Sequence, residues 1–199
     1  MSDPETLAVY DRSGSDYADR FARKNDPEQA ADAAAFLALL PAGGRILDLG
    51  CGPGQWAATF ADAGFAVEAT DASEEMARLA STRFGVHVRV EPFEALADTA
   101  HFDGIWANFS LLHAPRSEMP DHLARIHRAL KPGGALHLAM KLGSGEARDR
   151  LGRFYTYYGE EELAGLLAAA GFTLLTRRRA DSEGFAGGSD AFLVLTARA

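Results

Sequence analysis

Apolar stretches of strand length alternate with stretches of helical period along most of the 199-residue chain. Short apolar or alternating runs indicate strands, whereas apolar residues spaced three and four apart indicate helices. The predicted strands cover Arg45 to Leu49, Ala66 to Thr70, Val86 to Val90, Phe102 to Ala107, Ala135 to Lys141, Phe172 to Arg179 and Ala191 to Ala197. The predicted helices cover Pro27 to Leu40, Gln55 to Ala63, Glu74 to Arg83, Met119 to Leu130 and Glu160 to Ala170. This alternation predicts an α/β fold, in which helices cover both faces of a mostly parallel sheet.

Two segments rich in turn-forming residues separate predicted elements near the end of the chain. The sequence "KPGG", residues 131–134, predicts a turn just before the fifth strand. The sequence "DSEGFAGGSD", residues 181–190, lies between the last two strands and predicts a surface loop that joins them as a hairpin. A hairpin connection would make the final strand antiparallel to the strand before it.

The first predicted strand ends in a glycine-rich stretch that is followed directly by a helix. Gly50, Gly52 and Gly54 follow Leu49, and glycine allows sharp turns and lets a ligand approach the backbone without a Cβ atom. We expect unpaired amides at the start of the helix to face an anionic group above the carboxyl edge of the sheet. Asp71 ends the second strand, where sheets of this kind place a carboxylate that accepts hydrogen bonds from ribose hydroxyls. The stretch therefore predicts a nucleoside ligand that carries a carboxylate or phosphate.

Composition narrows the class of partner. The formal net charge is −8 and the basic residues are mostly scattered, which disfavours nucleic acid or an anionic membrane as the partner. No apolar stretch reaches the ~20 residues of a membrane span, and Cys51, the only cysteine, has no partner for an internal disulfide. The chain begins with acidic and polar residues, unlike a secretory signal. We therefore expect a cytoplasmic protein that acts on a small molecule.

Two nucleoside cofactors fit this pattern, and the motifs favour one of them. A dinucleotide site is written G-x-G-x-x-G, but Gln55 stands where the third glycine is required. The sequence "LDLGCGPG" instead resembles the first motif of class I S-adenosylmethionine-dependent methyltransferases. Further stretches resemble later motifs of that family in the same order, namely "EATDASEEMARLA", "VRVEPFEAL", "FDGIWANFSLLH" and "ALKPGGALHLAMK". The resemblance is strongest over residues 45–141 and implies a Rossmann-like, doubly wound, seven-stranded sheet with an antiparallel C-terminal strand.

The resemblance implies a set of residues that bind S-adenosylmethionine. Asp48 and the glycine backbone would hold the methionine moiety, and Asp71 would hold both ribose hydroxyls. The adenine contact is expected from Phe93 and from an acidic residue after the third strand, for which Glu91 and Glu94 are both candidates. The full cofactor set is Asp48, Gly50, Cys51, Gly52, Gly54, Asp71, Ala72, Met76, Phe93, Glu94, Asn108 and Phe109. Cys51 can be explained as a small residue that a tight loop requires, and Met76 can be explained by packing alone.

His113 is the candidate catalytic residue, because it follows the fourth strand where an acceptor must reach the methyl group. It could act as a general base, or it could orient a loop through backbone hydrogen bonds. Methyl transfer from a sulfonium depends largely on in-line positioning, so a base is optional. The six histidines show no spacing typical of metal ligands, and no metal is predicted.

Aromatic residues cluster on both sides of the expected site. The candidates for the acceptor pocket are Tyr10, Tyr17, Arg153, Tyr155 and Tyr158. Their rings could equally pack onto neighbouring helices. Arg153 could pair with an anionic acceptor.

We predict a single domain over residues 1–199, and its three parts follow from the resemblance. These are an N-terminal helical cap (1–44), a cofactor-binding core (45–141) and an acceptor-side segment with the C-terminal hairpin (142–199). The leading hypothesis is methyl transfer from S-adenosylmethionine to a small molecule by a monomer or homodimer. Two alternatives are a nicotinamide-dependent oxidoreductase and a non-catalytic module that binds S-adenosylmethionine and serves a partner.

Overall fold

The computed structural model describes residues 3–22 and 27–199. Its strands are β1 (Arg45–Leu49), β2 (Ala66–Asp71), β3 (Val88–Val90), β4 (Phe102–Asn108), β5 (Leu130–Lys141), β6 (Glu146–Arg148), β7 (Phe154–Thr156), β8 (Thr173–Glu183) and β9 (Ser189–Arg198). Its α-helices are α1 (Pro4–Phe21), α2 (Pro27–Leu37), α3 (Gln55–Asp62), α4 (Glu74–Phe84), α5 (Met119–Ala129) and α6 (Glu160–Ala169). Short 3₁₀ turns follow β3 and β4. Across these ranges no helix is long and apolar enough to cross a bilayer.

Seven strands form one mixed sheet in the order β3-β2-β1-β4-β5-β9-β8. Neighbouring strands from β3 to β5 are parallel, and β9 runs antiparallel to both β5 and β8. The predicted α/β fold with an antiparallel final strand is therefore confirmed. Strand order reverses between β1 and β4, and ligands of such sheets bind beyond the carboxyl ends of the strands at this reversal.

Successive residues of the central strands pack against opposite layers of helices. Ile46 of β1 and Trp106 of β4 contact Phe36 of α2 and Phe60 of α3. Leu47, one position further along β1, belongs to the larger core on the face that α5 and α6 cover. Burial on both faces explains why these strands are nearly continuous apolar runs.

Helix α1 gives the N-terminal cap its structure. The Asp3 carboxylate accepts hydrogen bonds from the Thr6 backbone and hydroxyl, and proline occupies the first turn, as is typical of a helix start. The helix packs on α4, where Gly14 is buried and an added Cβ would lie 2.9 Å from Cγ of Glu75. The parts of the predicted cap at residues 1–2 and 23–26 lie outside the described residues.

The predicted surface loop at residues 181–190 is wrong in extent. The two strands continue pairing through Asp181 with Ala191 and Glu183 with Ser189, so only residues 184–188 form the turn. Backbone pairing with a long neighbouring strand outweighs the turn preference of these polar residues. The hairpin itself is confirmed.

Two further elements differ from the sequence pattern. Strand β5 begins at Leu130, and the "KPGG" segment forms a bulge between the pairs Phe102–Leu130 and Gly104–Ala135. Strands β6 and β7 form a separate two-stranded sheet that the sequence analysis missed, because three residues each are too few for a hydrophobic period.

Candidate active site

A cavity of about 1240 Å³ lies beyond the carboxyl ends of β1, β2 and β4, at the reversal of strand order. We call one part the glycine side, which is lined by Asp48, Gly50, Cys51, Gly52, Asp71, Ala72, Met76, Phe93 and Glu94. We call the other part the aromatic side, which is lined by Tyr10, Tyr17, Phe21, His113, Lys141, Arg153, Tyr155 and Phe185. Asn108 and Phe109, which end and follow β4, also line the cavity.

Two glycines of the loop after β1 are needed for different reasons. Gly50 has φ of +72°, and an added Cβ would lie 2.4 Å from Cβ of Ser110. Gly52 also has a positive φ, +54°, but an added Cβ would meet nothing within 4 Å. Gly52 therefore leaves space within the cavity, whereas Gly50 lets the loop pack against the segment after β4.

The amides of this loop are paired within the chain, whereas the expectation of unpaired amides concerned the start of helix α3 and stays a prediction. The N–H groups of Gly50 and Cys51 both donate to the Thr70 carbonyl, at 2.8 and 2.9 Å. The N–H of Gly52 donates to Oδ2 of Asp71 at 2.8 Å, and that of Gly54 donates to the Cys51 carbonyl at 3.1 Å. These donors tie the loop to the end of β2, so they are not available to an anion.

The same bonds fix Asp71, whose two oxygens accept from different backbone groups. Oδ1 accepts from the Ser73 N–H at 2.9 Å, and Oδ2 accepts from Gly52. Burial raises the pKa of this carboxyl, and the backbone N–H donors partly offset that effect. Ser73 itself caps α4, because its hydroxyl accepts from the Met76 N–H. Asp71 is therefore held in a fixed orientation at the cavity without being the side-chain cap of the helix.

Three buried oxygen atoms of residues that line the cavity have no hydrogen-bond partner among the described residues. They are Oδ2 of Asp48, Oε1 of Gln55 and Oγ of Ser110. Burial raises the pKa of Asp48 to about 8. Buried polar atoms without partners are unfavourable, so a ligand with N–H or O–H donors would stabilise this arrangement.

The acidic residue that faces the cavity after β3 is Glu94. Glu94 lines the cavity beside Phe93, whereas Glu91 forms an ion pair with Arg89 at 3.1 Å. This placement favours Glu94 of the two sequence candidates. Met76 both lines the cavity and packs in a cluster with Tyr10 and Tyr17.

Cys51 is buried, and burial raises the pKa of its thiol well above the usual range. The thiol therefore stays protonated at neutral pH, which agrees with its interpretation as a small loop residue.

Two residues of the sequence-predicted site do not line the cavity. Gly54 has φ of +85° and faces α4, where an added Cβ would lie 2.7 Å from Cβ of Ala80. Tyr158 is fully buried and lies under the Arg116 guanidinium, 4.3 Å from its ring centre. Both have packing roles in this structure. Pro53 and Gln55, which flank Gly54, line the cavity, as does Tyr155, three positions before Tyr158, and a motif alone does not separate the two situations.

Asn108 and Phe109 continue β4 into the cavity. The Asn108 side chain lies 3.2 Å from Nε2 of His137 and donates to Oε1 of Gln29 on α2 at 3.2 Å. Phe109 has φ of +56°, which is unfavourable for a bulky side chain. Strained residues of this kind are often found at functional sites.

His113 lies at the centre of a hydrogen-bonded group on the aromatic side. Its Nδ1 is 2.6 Å from the Phe154 carbonyl, and its Nε2 is 2.8 Å from the Tyr10 hydroxyl. Burial lowers the pKa of His113 to about 4, so the ring is neutral at pH 7. The sequence analysis weighed a base against a loop-orienting residue, and the structure shows the backbone contact that the second role requires.

Arg153 connects this group to a buried ion pair. The guanidinium is 2% exposed, contacts Asp149 at 2.7 Å, and donates to the Tyr10 hydroxyl at 3.1 Å. Arg153 therefore has an anionic partner within the protein, which weakens the expectation that it pairs with an anionic acceptor. Lys141 is likewise paired with Asp190, at 2.6 Å.

The hairpin between β8 and β9 brings a residue to the site that the sequence analysis missed. Phe185 packs edge-on against Tyr17 and Phe21, and the Arg153 guanidinium lies 5.4 Å from its ring centre. The sequence feature that could have identified Phe185 is its position as a single aromatic residue within the glycine-rich sequence "EGFAGG". An exposed turn rarely needs an aromatic side chain.

The model of the methyltransferase domain family matches residues 21–177 of the chain. The chain therefore belongs to this methyltransferase family, and the resemblance noted in the sequence is confirmed. A methyltransferase of Methanosarcina mazei, 24% identical with a TM-score of 0.74 over 82% of this chain and 96% of its own, has the same fold.

Three proteins with a higher sequence identity to this chain are named as methyltransferases. The 1,6-didemethyltoxoflavin-N1-methyltransferase of Burkholderia thailandensis, solved with 1,6-didemethyltoxoflavin and S-adenosylhomocysteine, is 30% identical with a TM-score of 0.76. The match covers 100% of this chain and 91% of that one. The ubiquinone biosynthesis O-methyltransferase of Xanthomonas axonopodis pv. citri is 39% identical over 51% of this chain and 44% of its own. A malonyl-[acyl-carrier protein] O-methyltransferase of Pseudescherichia vulneris is 38% identical over 46% of this chain and 36% of its own. The matches thus span less than half of these two curated relatives.

Proposed function

We propose that the protein transfers a methyl group from S-adenosylmethionine to a small-molecule acceptor. The observation that carries the proposal is that one cavity joins a fixed carboxylate on the glycine side to a polar, aromatic-lined space on the other. A nucleoside cofactor and an acceptor would meet within that cavity at the end of β4.

The residues on the glycine side fit this cofactor. Asp71 is held by two backbone donors and would accept the ribose hydroxyls with its remaining lone pairs. The unpartnered oxygen of Asp48 would accept from the methionine ammonium. Phe93 and Glu94 would contact the adenine. When bound, S-adenosylmethionine supplies an electrophilic methyl group on a sulfonium sulfur.

The chain's own residues would orient the acceptor and exclude water. Helix α1 and the hairpin turn place Tyr10, Tyr17 and Phe185 around the aromatic side. Positioning two reactants in a dry site accounts for much of the rate enhancement of such a displacement.

The two alternatives receive less support. A nicotinamide site would want a third glycine where Gln55 begins α3. A binding module without turnover would not need the buried polar group around His113 on the aromatic side.

Ligand-dependent stability tests the proposal directly. At S-adenosylhomocysteine concentrations about one hundred times Kd, we expect a gain of ~2.7 kcal/mol, visible as several degrees in Tm. NADH at the same concentration is the matched control and should give no shift. A shift with NADH alone would revive the oxidoreductase. Tight S-adenosylhomocysteine binding with no transfer to a broad acceptor panel would favour the non-catalytic module.

We propose further that residues 1–199 act as one domain, as a monomer or homodimer in the cytoplasm. The net charge of −8 supports an acceptor other than nucleic acid. The small size of the elements outside the sheet and its helices supports a small acceptor.

A further inference from the structure

We infer that Asp190 is a specificity-determining residue, because it neutralises Lys141 and so makes the aromatic side a site for an uncharged aromatic acceptor that rejects an anionic one. This inference rests on the proposed methyl transfer. It adds the charge of the acceptor, which the proposed function leaves open.

Strand pairing places Lys141 and Asp190 side by side. Lys141 ends β5 and pairs with Phe192 of β9. Asp190 lies two positions before Phe192, so its side chain leaves the same face of the sheet, diagonal to Lys141. Nζ of Lys141 lies 2.6 Å from Oδ2 of Asp190, and the lysine side chain is only 15% exposed. Both residues line the cavity, so this ion pair forms part of its wall.

The other lysine or arginine side chains that line the cavity in the described part of the chain are paired as well. The Arg153 guanidinium, which is 2% exposed, lies 2.7 Å from Oδ2 of Asp149. Arg20 is partly exposed, and its guanidinium lies 2.9 Å from Oε1 of Glu183. Each of these cations therefore already has a carboxylate partner within the protein.

The neighbouring titratable groups add no positive charge. Burial lowers the pKa of both histidines that line the cavity, His113 and His122, so their rings are neutral at pH 7. Asp181 lines the cavity as a further carboxylate, and no described basic side chain pairs with it. Among the described residues, carboxylates at the cavity therefore leave no unpaired cation for an anionic ligand.

The consequence for the acceptor follows from the cost of separating charges. An anionic acceptor would have to displace Asp190 from Lys141 and leave that carboxylate unpaired in the cavity wall, which is unfavourable. An uncharged aromatic ring needs no counter-ion and can pack against Tyr17 and Phe185, which line the same side. The ion pair thus selects by penalising the wrong charge as well as by accommodating the right shape.

The test compares two probes of the same shape. 4-Hydroxybenzamide is uncharged at pH 7, whereas 4-hydroxybenzoate carries a carboxylate in the same position. Calorimetry measures the Kd of each probe for the wild type saturated with S-adenosylhomocysteine. We expect 4-hydroxybenzamide to bind at least about tenfold more tightly, because an unpaired carboxylate is costly to bury.

Three variants locate the selection at the ion pair. Asp190→Asn frees Lys141 and should shift the ratio of the two Kd values toward 4-hydroxybenzoate by about ten- to a hundredfold. Asp181→Asn changes the net charge by the same amount without freeing a cation, and should shift the ratio by less than about threefold. Adding Lys141→Met to Asp190→Asn should restore the wild-type preference.

Several results would overturn the inference. These are tighter binding of 4-hydroxybenzoate by the wild type, no binding of 4-hydroxybenzamide at millimolar concentration, and equal shifts in Asp190→Asn and Asp181→Asn. Asp190→Ser repeats the comparison if Asp190→Asn does not fold, and the wild-type ratio tests the preference in either case. Failure of S-adenosylhomocysteine to bind the wild type would instead reject the proposed function, and the two probes would then be compared on the protein without it.

Discussion

The two sides of the cavity are built from contacts of very different range. On the glycine side, Asp71 contacts Ser73, two positions away, and Gly52, 19 positions away, through the backbone. On the aromatic side, Tyr10 contacts His113 across 103 positions and Arg153 across 143, through side chains. The first geometry is set by adjacent strand ends, whereas the second depends on how helix α1 packs.

This difference indicates which side of the cavity can be altered by substitution to change ligand specificity. A site made from strand ends and backbone bonds is rigid and serves one cofactor. A site made from side chains on a helix, a small sheet and a hairpin can be altered by substitution without disturbing the main sheet. We therefore expect substitutions on the glycine side to change cofactor affinity, and substitutions on the aromatic side to change acceptor selection.

The largest expected effect on cofactor affinity is on the glycine side. Asp71→Asn removes the charge from the hydrogen bonds to two ribose hydroxyls and should weaken S-adenosylhomocysteine binding by ~1.5–3 kcal/mol, or about ten- to more than a hundredfold. Calorimetry checks this, with the exposed Asp121→Asn on α5 as the control. Unchanged affinity in the folded variant would limit Asp71 to holding the loop.

The two loop glycines separate fold from binding on the same side. In both Gly50→Ala and Gly52→Ala, alanine must adopt a positive φ, which should lower the stability of the fold by ~1 kcal/mol. Only Gly50→Ala also creates an overlap, with Ser110, and should lose a further ~1–3 kcal/mol of stability. Gly52→Ala should instead mainly reduce cofactor affinity, because its Cβ enters the cavity. Equal losses of Tm would contradict the structure of the loop.

Asp48 gives the glycine side a pH dependence. Its pKa is about 8 in the folded chain and ~3.9 when unfolded, because burial disfavours the charged form. The folded chain therefore binds more protons between these values, and the contribution to stability falls as pH rises through that window. Relative to Asp48→Asn, the wild type should lose ~3–4 kcal/mol between pH 5 and pH 8, at about 1.4 kcal/mol per pH unit over most of that window. Thermal unfolding of both proteins at both pH values measures the difference, and parallel curves would refute it.

The smallest effects compare two tyrosines near the aromatic side. Tyr10→Phe leaves Nε2 of His113 without its partner and should cost ~1 kcal/mol of stability. Tyr158→Phe removes a hydroxyl that has no partner among the described residues, so its stability should change by less than ~0.5 kcal/mol. Tm and acceptor turnover measured on both variants would show whether Tyr158 lies outside the site. A loss of turnover in Tyr158→Phe but not in Tyr10→Phe would instead indicate that Tyr158 lies in the acceptor pocket.

The glycine side could be read from the sequence to a large extent. Asp71 and the loop after β1 were placed correctly, because strand–loop–helix units are local and their carboxyl ends meet at one edge of a parallel sheet. The direction of the loop amides was not predicted. Whether an N–H faces a ligand or the end of β2 depends on the pairing of neighbouring strands, which a motif does not specify.

The chain's own pattern of apolar residues determined the order of the seven strands of the main sheet and of helices α2 to α6, the hairpin at its end and the position of the glycine-rich loop, because these depend on periods of two and 3.6 residues and on turn chemistry. Tertiary structure alone decided which side chains meet on the aromatic side. The approach of Tyr10 to His113, the ion pair that occupies Arg153 and the arrival of Phe185 follow from the packing of α1, β7 and the hairpin against one another, whereas Tyr158 is buried in the main core. Such contacts join distant parts of the chain, and no local period encodes them.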